Sequence, residues 1–415
     1  MMTEMHRVVK GHLLRTAQQQ WSKLLKDPRH RRGRRWKLST LLNALWAGVL
    51  TAQLNLRQVE ALCERLGKRV PDTTLHDLLN RLSAAPLQRQ LVRQVREAWR
   101  AKELVSDLPF SLVAVDGKCL WSGNWKANKH CQKQHDDDGD GKGERYVFRA
   151  LRAVAVGRGC ALTIGQMPVR SKKAEMSTLV RFVDRLRADY GRSGLLEVIS
   201  VDAGMTSKAN AADLDQRGLG YIMALKGTQP ELLAEAQRLL DCGEAPAVTG
   251  DWERYRGKRI RRLLYRSSEI AGYHGWKHLR EVWRVRQETE RNGVIEVEER
   301  YFLTNLVPGL TKGDVPLRAV RAHWVIENGS NWTLDTQWKE DSRPWCAPAV
   351  EVVGLLRLLA FNVLMRLRSR RLRSEARRAM PWQQILAYVA EVLRDARLDH
   401  DTLLASMTTE SAGPI

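Results

Sequence analysis

The chain is 415 residues long and carries 69 Lys and Arg against 47 Asp and Glu, a formal net charge of +22. That imbalance costs self-repulsion in a compact state and argues against an ordinary enzyme of neutral metabolites, so a polyanionic partner is the first expectation. With 43% hydrophobic and 28% charged residues the chain is no disordered basic tail, and it is long enough for a buried core spread over two or three domains.

The excess is clustered. Residues 1–50 hold eleven Lys/Arg and two Asp/Glu, Arg254 to Arg266 hold seven and none, and Arg366 to Arg378 hold seven and one, which leaves the remainder neutral. Three contact surfaces for nucleic acid or an anionic membrane are therefore expected. A membrane span is not: Leu41 to Leu54 is fourteen residues with Asn43 and Gln53 inside it, short of the roughly 20 a bilayer needs, and the run after Val350 is broken by Arg357. No secretory signal is visible in MMTEMHRVVKGHLL, and six cysteines without a C-x-x-C pair suit a reducing cytosol.

Residues 1–105 read as a helical, basic, DNA-binding region. Ser39 is placed to cap LLNALWAGVLTAQ and Asp72 to cap TTLHDLLNRL, where Leu75, Leu78, Leu79 and Leu82 recur at helical spacing. LRQVEALCERLGKRVP between them is a short helix and a turn, in the manner of a helix-turn-helix. The stretch DPRHRRGRRWK reads as a loop whose Arg31, Arg32, Arg34 and Arg35 suit DNA phosphates.

From 108 to 240 strands alternate with helices. LPFSLVAVDGK, YVFRALRAVAV and CALTIGQMPV are strand candidates, MSTLVRFVDRLRADYG an amphipathic helix, and LLEVISVDAG, SKANAADLDQRG and YIMALKG a strand, a helix and a strand. The expected class is α/β, a mixed sheet with helices on its faces. Residues 241–305 look like a β-rich insertion that interrupts that sheet, with Asn292-Gly293 turning a hairpin. The second part of the core, 306–367, holds a long helix that Gly329 could bend; 368–415 is a basic helix and a polar tail.

Two aspartates, Asp116 in LVAVDGK and Asp202 in VISVDAG, follow strongly apolar strands. Strand ends are where α/β sheets place ligand sites, and hard carboxylate oxygens suit Mg²⁺ or Mn²⁺ better than zinc. A third acid, Glu327, is crowded by Trp324, Val325 and Ile326, and His323 and Asn331 flank it at i−4 and i+4 on one helical face. An acid among apolar neighbours calls for a partner or a metal. The acidic loop His135 to Glu144 imitates the start of a calcium loop, but Val147 stands where the bidentate Glu belongs, and a strand follows it. Zinc at His130, Cys131 and His135 lacks a fourth ligand.

In order, VAVDGK, ISVDAG, YIMALKGTQPEL, YFLTNL and VRAHWVIENGSNWTLDTQWKED resemble DDE-type insertion-sequence transposases, most nearly the ISAs-type or H-repeat-associated branch, over about Leu38 to Leu367. The chain departs at Asn331-Trp332, where the branch commonly has His-Trp. Val320, His323 and Leu334 stand where related enzymes carry the Tyr, Arg and Lys of a Tyr–Arg–Glu–Lys signature. The resemblance implies an RNase H-like catalytic fold, a triad of Asp116, Asp202 and Glu327, and two Mg²⁺ or Mn²⁺ ions, with Asp116 the expected bridging ligand. Water attack would free a 3′ end whose hydroxyl then attacks target DNA. Lys118, Lys226, His323, Asn331, Arg259 and Arg261 are the further candidate DNA contacts. The implied partners are double-stranded DNA at element ends and target and a second copy in a homodimer, in the bacterial cytoplasm at the nucleoid. A DNA-binding descendant without catalysis, or a nuclease without strand transfer, are the other readings; the three intact acids favour the enzyme.

Overall fold

The computed structural model describes residues 4–17, 25–135, 144–191, 193–241, 243, 245–255 and 257–394. Helices α1 (Glu4–Ala17), α2 (Leu38–Leu50), α3 (Leu56–Arg65), α4 (Asp72–Arg81) and α5 (Ala84–Arg100) precede the first strand. Apolar on nearly every side, α2 is buried from Thr40 to Leu50. Its expected cap, Ser39, lies inside the first turn, after Lys37. Asp72 likewise begins α4 without capping it. The Asp72 N–H is taken by the Glu60 carboxylate of α3 at 3.0 Å, which puts negative charge on a helix start from a neighbouring element.

Then come β1 (Leu112–Gly123), β2 (Gln132–His135), β3 (Glu144–Gly157), β4 (Cys160–Val169), α6 (Ala174–Tyr190), β5 (Val198–Val201), α7 (Lys208–Gln216), β6 (Gly220–Leu225) and α8 (Pro230–Leu240). β4, β3 and β1 are antiparallel, and β5 and β6 continue from β1 in parallel. Three antiparallel strands followed by two parallel ones in the order β4-β3-β1-β5-β6 make an RNase H-like sheet.

The next strands, β7 (Val248–Thr249), β8 (Glu253–Tyr255), β9 (Lys258–Ser267), β10 (Glu281–Arg291) and β11 (Val294–Thr304), extend this sheet instead of interrupting it. Tyr301 to Thr304 of β11 pair antiparallel with β6, which would otherwise be an open edge. The β10–β11 hairpin turns at Asn292 (φ 51°) and Gly293 (φ 79°), the positive-φ pair that a two-residue turn demands.

After the insertion, α9 (Val315–His323) runs into a π-helical turn at Ile326–Asn331 and then α10 (Trp332–Gln337), α11 (Val350–Arg366) and α12 (Trp382–Arg394). The single helix expected here is thus broken by a wider turn, in which the Trp332 N–H reaches the Glu327 carbonyl five residues back. The acidic loop at 136–143 and the tail beyond Arg394 lie outside the described residues.

Side-chain alternation sorts the sheet into two faces. Val113, Val115, Ile199 and Val201 pack with α5 to α8, and Leu112, Ala114 and Val198 face α9 and the π turn through Val320 and Ile326. A separate helical core joins Leu41, Leu45, Leu75 and Leu79 to Leu355, Leu359, Phe361 and Ile385, so α2 and α4 share one apolar interior with α11 and α12. Among the described residues one helical stretch, Ala347–Arg371, is long and apolar enough to cross a membrane; 83% of its apolar window is buried inside the protein, the position of a core helix.

Candidate active site

Asp116 continues the β1 alternation onto the α9 face, Asp202 follows β5 directly, and Glu327 lies in the π turn that packs over both strands. One carboxylate oxygen from each comes within 4.8 Å of the others, and among the described residues this is the one group of three or more His, Cys, Asp or Glu side chains placed to share an ion. Burial and the charges of Asp202 and Glu327 push the Asp116 carboxyl up to about 7. Burial and the Asp202 charge raise Glu327. Asp202 moves the other way: the hydrogen bond from His323, then its charge, outweigh burial and hold the carboxyl below its usual range. Mutual repulsion of this kind is relieved by protons or by cations.

Each aspartate is held by a named partner. Asp116 accepts from the Gly117 N–H at 2.7 Å and from the Asn331 amide at 3.2 Å. His323 lies between Ser200, 2.9 Å from its Nδ1, and Asp202, 3.3 Å from its Nε2. Behind Asn331 is Arg152, fully buried and paired in β-register with Asp116. Arg152 donates to the Asn331 side-chain Oδ1 at 3.4 Å, to both oxygens of Glu340 at 2.7 Å, and to Gln166 at 2.9 and 3.0 Å. Gly117 is a close-approach glycine: a Cβ there would collide with the Glu175 carboxylate, itself ion-paired to Arg149 at 3.0 Å.

The structure brings Asp116, Asp202, Glu327, His323 and Asn331 together, with Lys226 close enough to lower Asp202 and Glu327 by its charge. Lys118 is ion-paired to Asp335. Arg259 and Arg261 are away in β9, paired with Glu290 and Glu288 and stacked on Trp252. Arg31, Arg32, Arg34 and Arg35 lie in the exposed loop before α2, with Arg34 against Asp27. Of the three tryptophans after α9, Trp338 is buried with its N–H on the Val49 carbonyl, Trp332 is 51% exposed, and Trp324 carries Arg300 over its ring. Arg300 also lowers Asp202 and Glu327. Reading the chain alone missed Arg300, Ser200, Arg152, Gln166 and Glu340. Only strand register could have found Arg152.

An RNase H-like sheet with three converging carboxylates defines a protein of the DDE class. The family described as the transposase DDE domain matches residues 113–363, which span all three acids, and the chain belongs to that family. A relative, YncI of Escherichia coli O157:H7, carries the provisional name of a transposase and is 24% identical over 265 residues. That similarity covers 61% of this chain and 61% of the relative, so the chain matches about three fifths of the relative's length.

Proposed function

We propose that this transposase cuts the phosphodiester backbone at the ends of an insertion element and joins the freed 3′ hydroxyl to target DNA. The observation that carries the reading is the convergence of Asp116, Asp202 and Glu327 within 4.8 Å. The donor set fits divalent cations: three hard carboxylates repel one another, and Asp116 is raised by both of the others. Asp116, Asp202 and Glu327 are the residues that would hold the ions. Two Mg²⁺ or Mn²⁺ ions held there would polarise the scissile phosphate and lower the pKa of the attacking hydroxyl.

The chain's own groups supply the rest. His323 and Asn331 fix the orientation of Asp202 and Asp116, so the carboxylates are set before DNA arrives. Lys226 and Arg300 place positive charge beside the acids, where a phosphate enters. A cleft of about 680 Å³ beside Glu327, lined by Trp324, Arg300, Arg321 and Arg262, leaves room for a DNA strand end. Arg31, Arg32 and Arg35 suit backbone contact away from the chemistry. Pairing two element ends calls for two copies of the chain.

The test is cleavage and joining of element-end DNA, identified from inverted repeats in the flanking sequence, by purified Asp116→Ala protein in Mg²⁺. Loss of both steps with an unchanged thermal unfolding curve is expected. Activity equal to the parent overturns the assignment.

A further inference from the structure

Charge counted along the chain and charge left unpaired in the fold give different maps. In β9, Arg259 meets Glu290 at 2.9 Å, Arg261 meets Glu288 at 2.5 Å, Arg262 meets Glu253 at 3.5 Å and Arg266 meets Glu281 at 2.5 Å. The dense arginine run of the insertion is thus largely answered by acids on β8 and β10. In the C-terminal run, Arg366 is paired with buried Glu103 and Arg377 with Glu4.

A less conspicuous set of cations lies on α5. Arg89, Arg93, Arg96 and Arg100 fall at steps of four, three and four along α5, which makes one stripe, and all four are exposed. With Arg185 of α6 and Lys129 they line a cleft of about 1200 Å³. None of the six is ion-paired among the described residues. Arg96 and Arg100 instead donate to the backbone carbonyls of Asp189 and Arg96, at 2.9 and 3.2 Å, which orients the guanidinium groups without neutralising them. The acids in the walls are Asp189 and Glu351, two carboxylates against six cations. α5 and α6 pack on the sheet face opposite α9, so the cleft opens on the far side of the sheet from the carboxylates.

We propose that this cleft grips the phosphodiester backbone of a stretch of duplex DNA that does not pass through the carboxylate cluster. The stripe spans twelve residues, eleven steps of about 1.5 Å or about 16 Å, which matches about five phosphates at ~3.4 Å spacing on one strand. Arginine forks suit phosphate oxygens in pairs, and a concave wall lets cations approach from two sides. The proposal rests on the reading of the chain as a DNA-acting enzyme, and binding without divalent metal tests it apart from catalysis.

The experiment compares Arg89→Gln/Arg93→Gln with Arg89→Lys/Arg93→Lys in the full chain, because neither arginine is ion-paired among the described residues and both lie on the surface. Unchanged thermal unfolding checks the fold. Affinity for a random-sequence duplex of about 30 base pairs is measured in EDTA over a range of NaCl, where each lost phosphate contact removes about 0.9 from the slope of log K against log salt. The Gln variant is expected to lose about 2 from that slope, the Lys variant to keep it, and Asp116→Asn to keep it as well. A parental slope in the Gln variant, or an equal loss in the Lys variant, overturns the proposal. Failure of the catalytic reading would leave these slopes untouched.

Discussion

Replacing Glu340 by Gln removes the charge that answers Arg152. Arg152 has no solvent exposure and Glu340 is 2% exposed, so nothing but protein can compensate the guanidinium. Breaking a buried pair from one side costs about 3–5 kcal/mol, against about 5–15 kcal/mol of total stability for a domain. Gln166 still accepts from Arg152, which places the expected loss at the lower end, about 3 kcal/mol. The assay is the denaturant midpoint at neutral pH. Burial pushes the Glu340 carboxyl up, but the charge and hydrogen bonds of Arg152, with Arg357 behind, hold it below its usual range. A depressed carboxylate stabilises above its unfolded pKa of about 4.3, and that contribution is lost as pH falls through the folded value. The penalty of Glu340→Gln should therefore shrink in acid.

A second variant separates stability from positioning. Arg152→Met/Glu340→Leu swaps the pair for apolar groups and should recover most of the midpoint. Asn331 then loses the donor that fixes its amide toward Asp116, so Mn²⁺ affinity by calorimetry should stay about 10- to 100-fold weakened. A Glu340→Gln cost under about 1 kcal/mol, or parental Mn²⁺ affinity in the double variant, refutes the reasoning.

Three further outcomes follow from the same site. Because the folded Asp116 carboxyl sits at about 7, the metal-free fold holds a proton there that the unfolded chain releases near 4, so stability falls as pH rises through that window. Asp116→Asn should make the profile of unfolding midpoint against pH shallower, with Glu327 keeping a remainder, and Mg²⁺ should flatten it in the parent; an undiminished slope in the variant counts against Asp116 as its main source. His323→Phe removes the contacts to Ser200 and Asp202, and should weaken Mn²⁺ binding by about 10- to 100-fold and lower stability by about 1–3 kcal/mol, because the buried Ser200 hydroxyl loses its partner. Gly117→Ala drives a Cβ against the Glu175 carboxylate, so that side chain must shift and cleavage should fall, with recovery in Gly117→Ala/Glu175→Ala; no rescue would assign the defect to backbone instead.

The three clustered acids were legible because their signal is local. An apolar strand ending in Asp says where the carboxylate is held, and Glu327 stood out among Trp324, Val325 and Ile326. Arg152 was illegible for the opposite reason: in YVFRALRAVAV it reads as an outward arginine, and only pairing across β3 and β1 turns it toward Asp116. The long helix read correctly in its residues and wrongly in its pitch, since no composition rule marks IENGSN as a π turn. Counting charge found the densest runs but could not see that Glu281, Glu288 and Glu290 would lie opposite them. The α5 stripe escaped because its four arginines are spread over twelve helical residues.

The apolar interior shared by α2, α4, α11 and α12 sets an order in time. Leu41 and Leu75 leave the ribosome 309 and 275 residues before Val350, a gap of roughly 14–62 s at about 5–20 residues per second. Until then the first helices have no final partner, and a chain cut short of α11 would expose Leu41, Leu45 and Leu75 to water. The N-terminal helices are therefore not a module that a truncated copy could release to occupy DNA by itself, and only a chain synthesised through α12 completes their core.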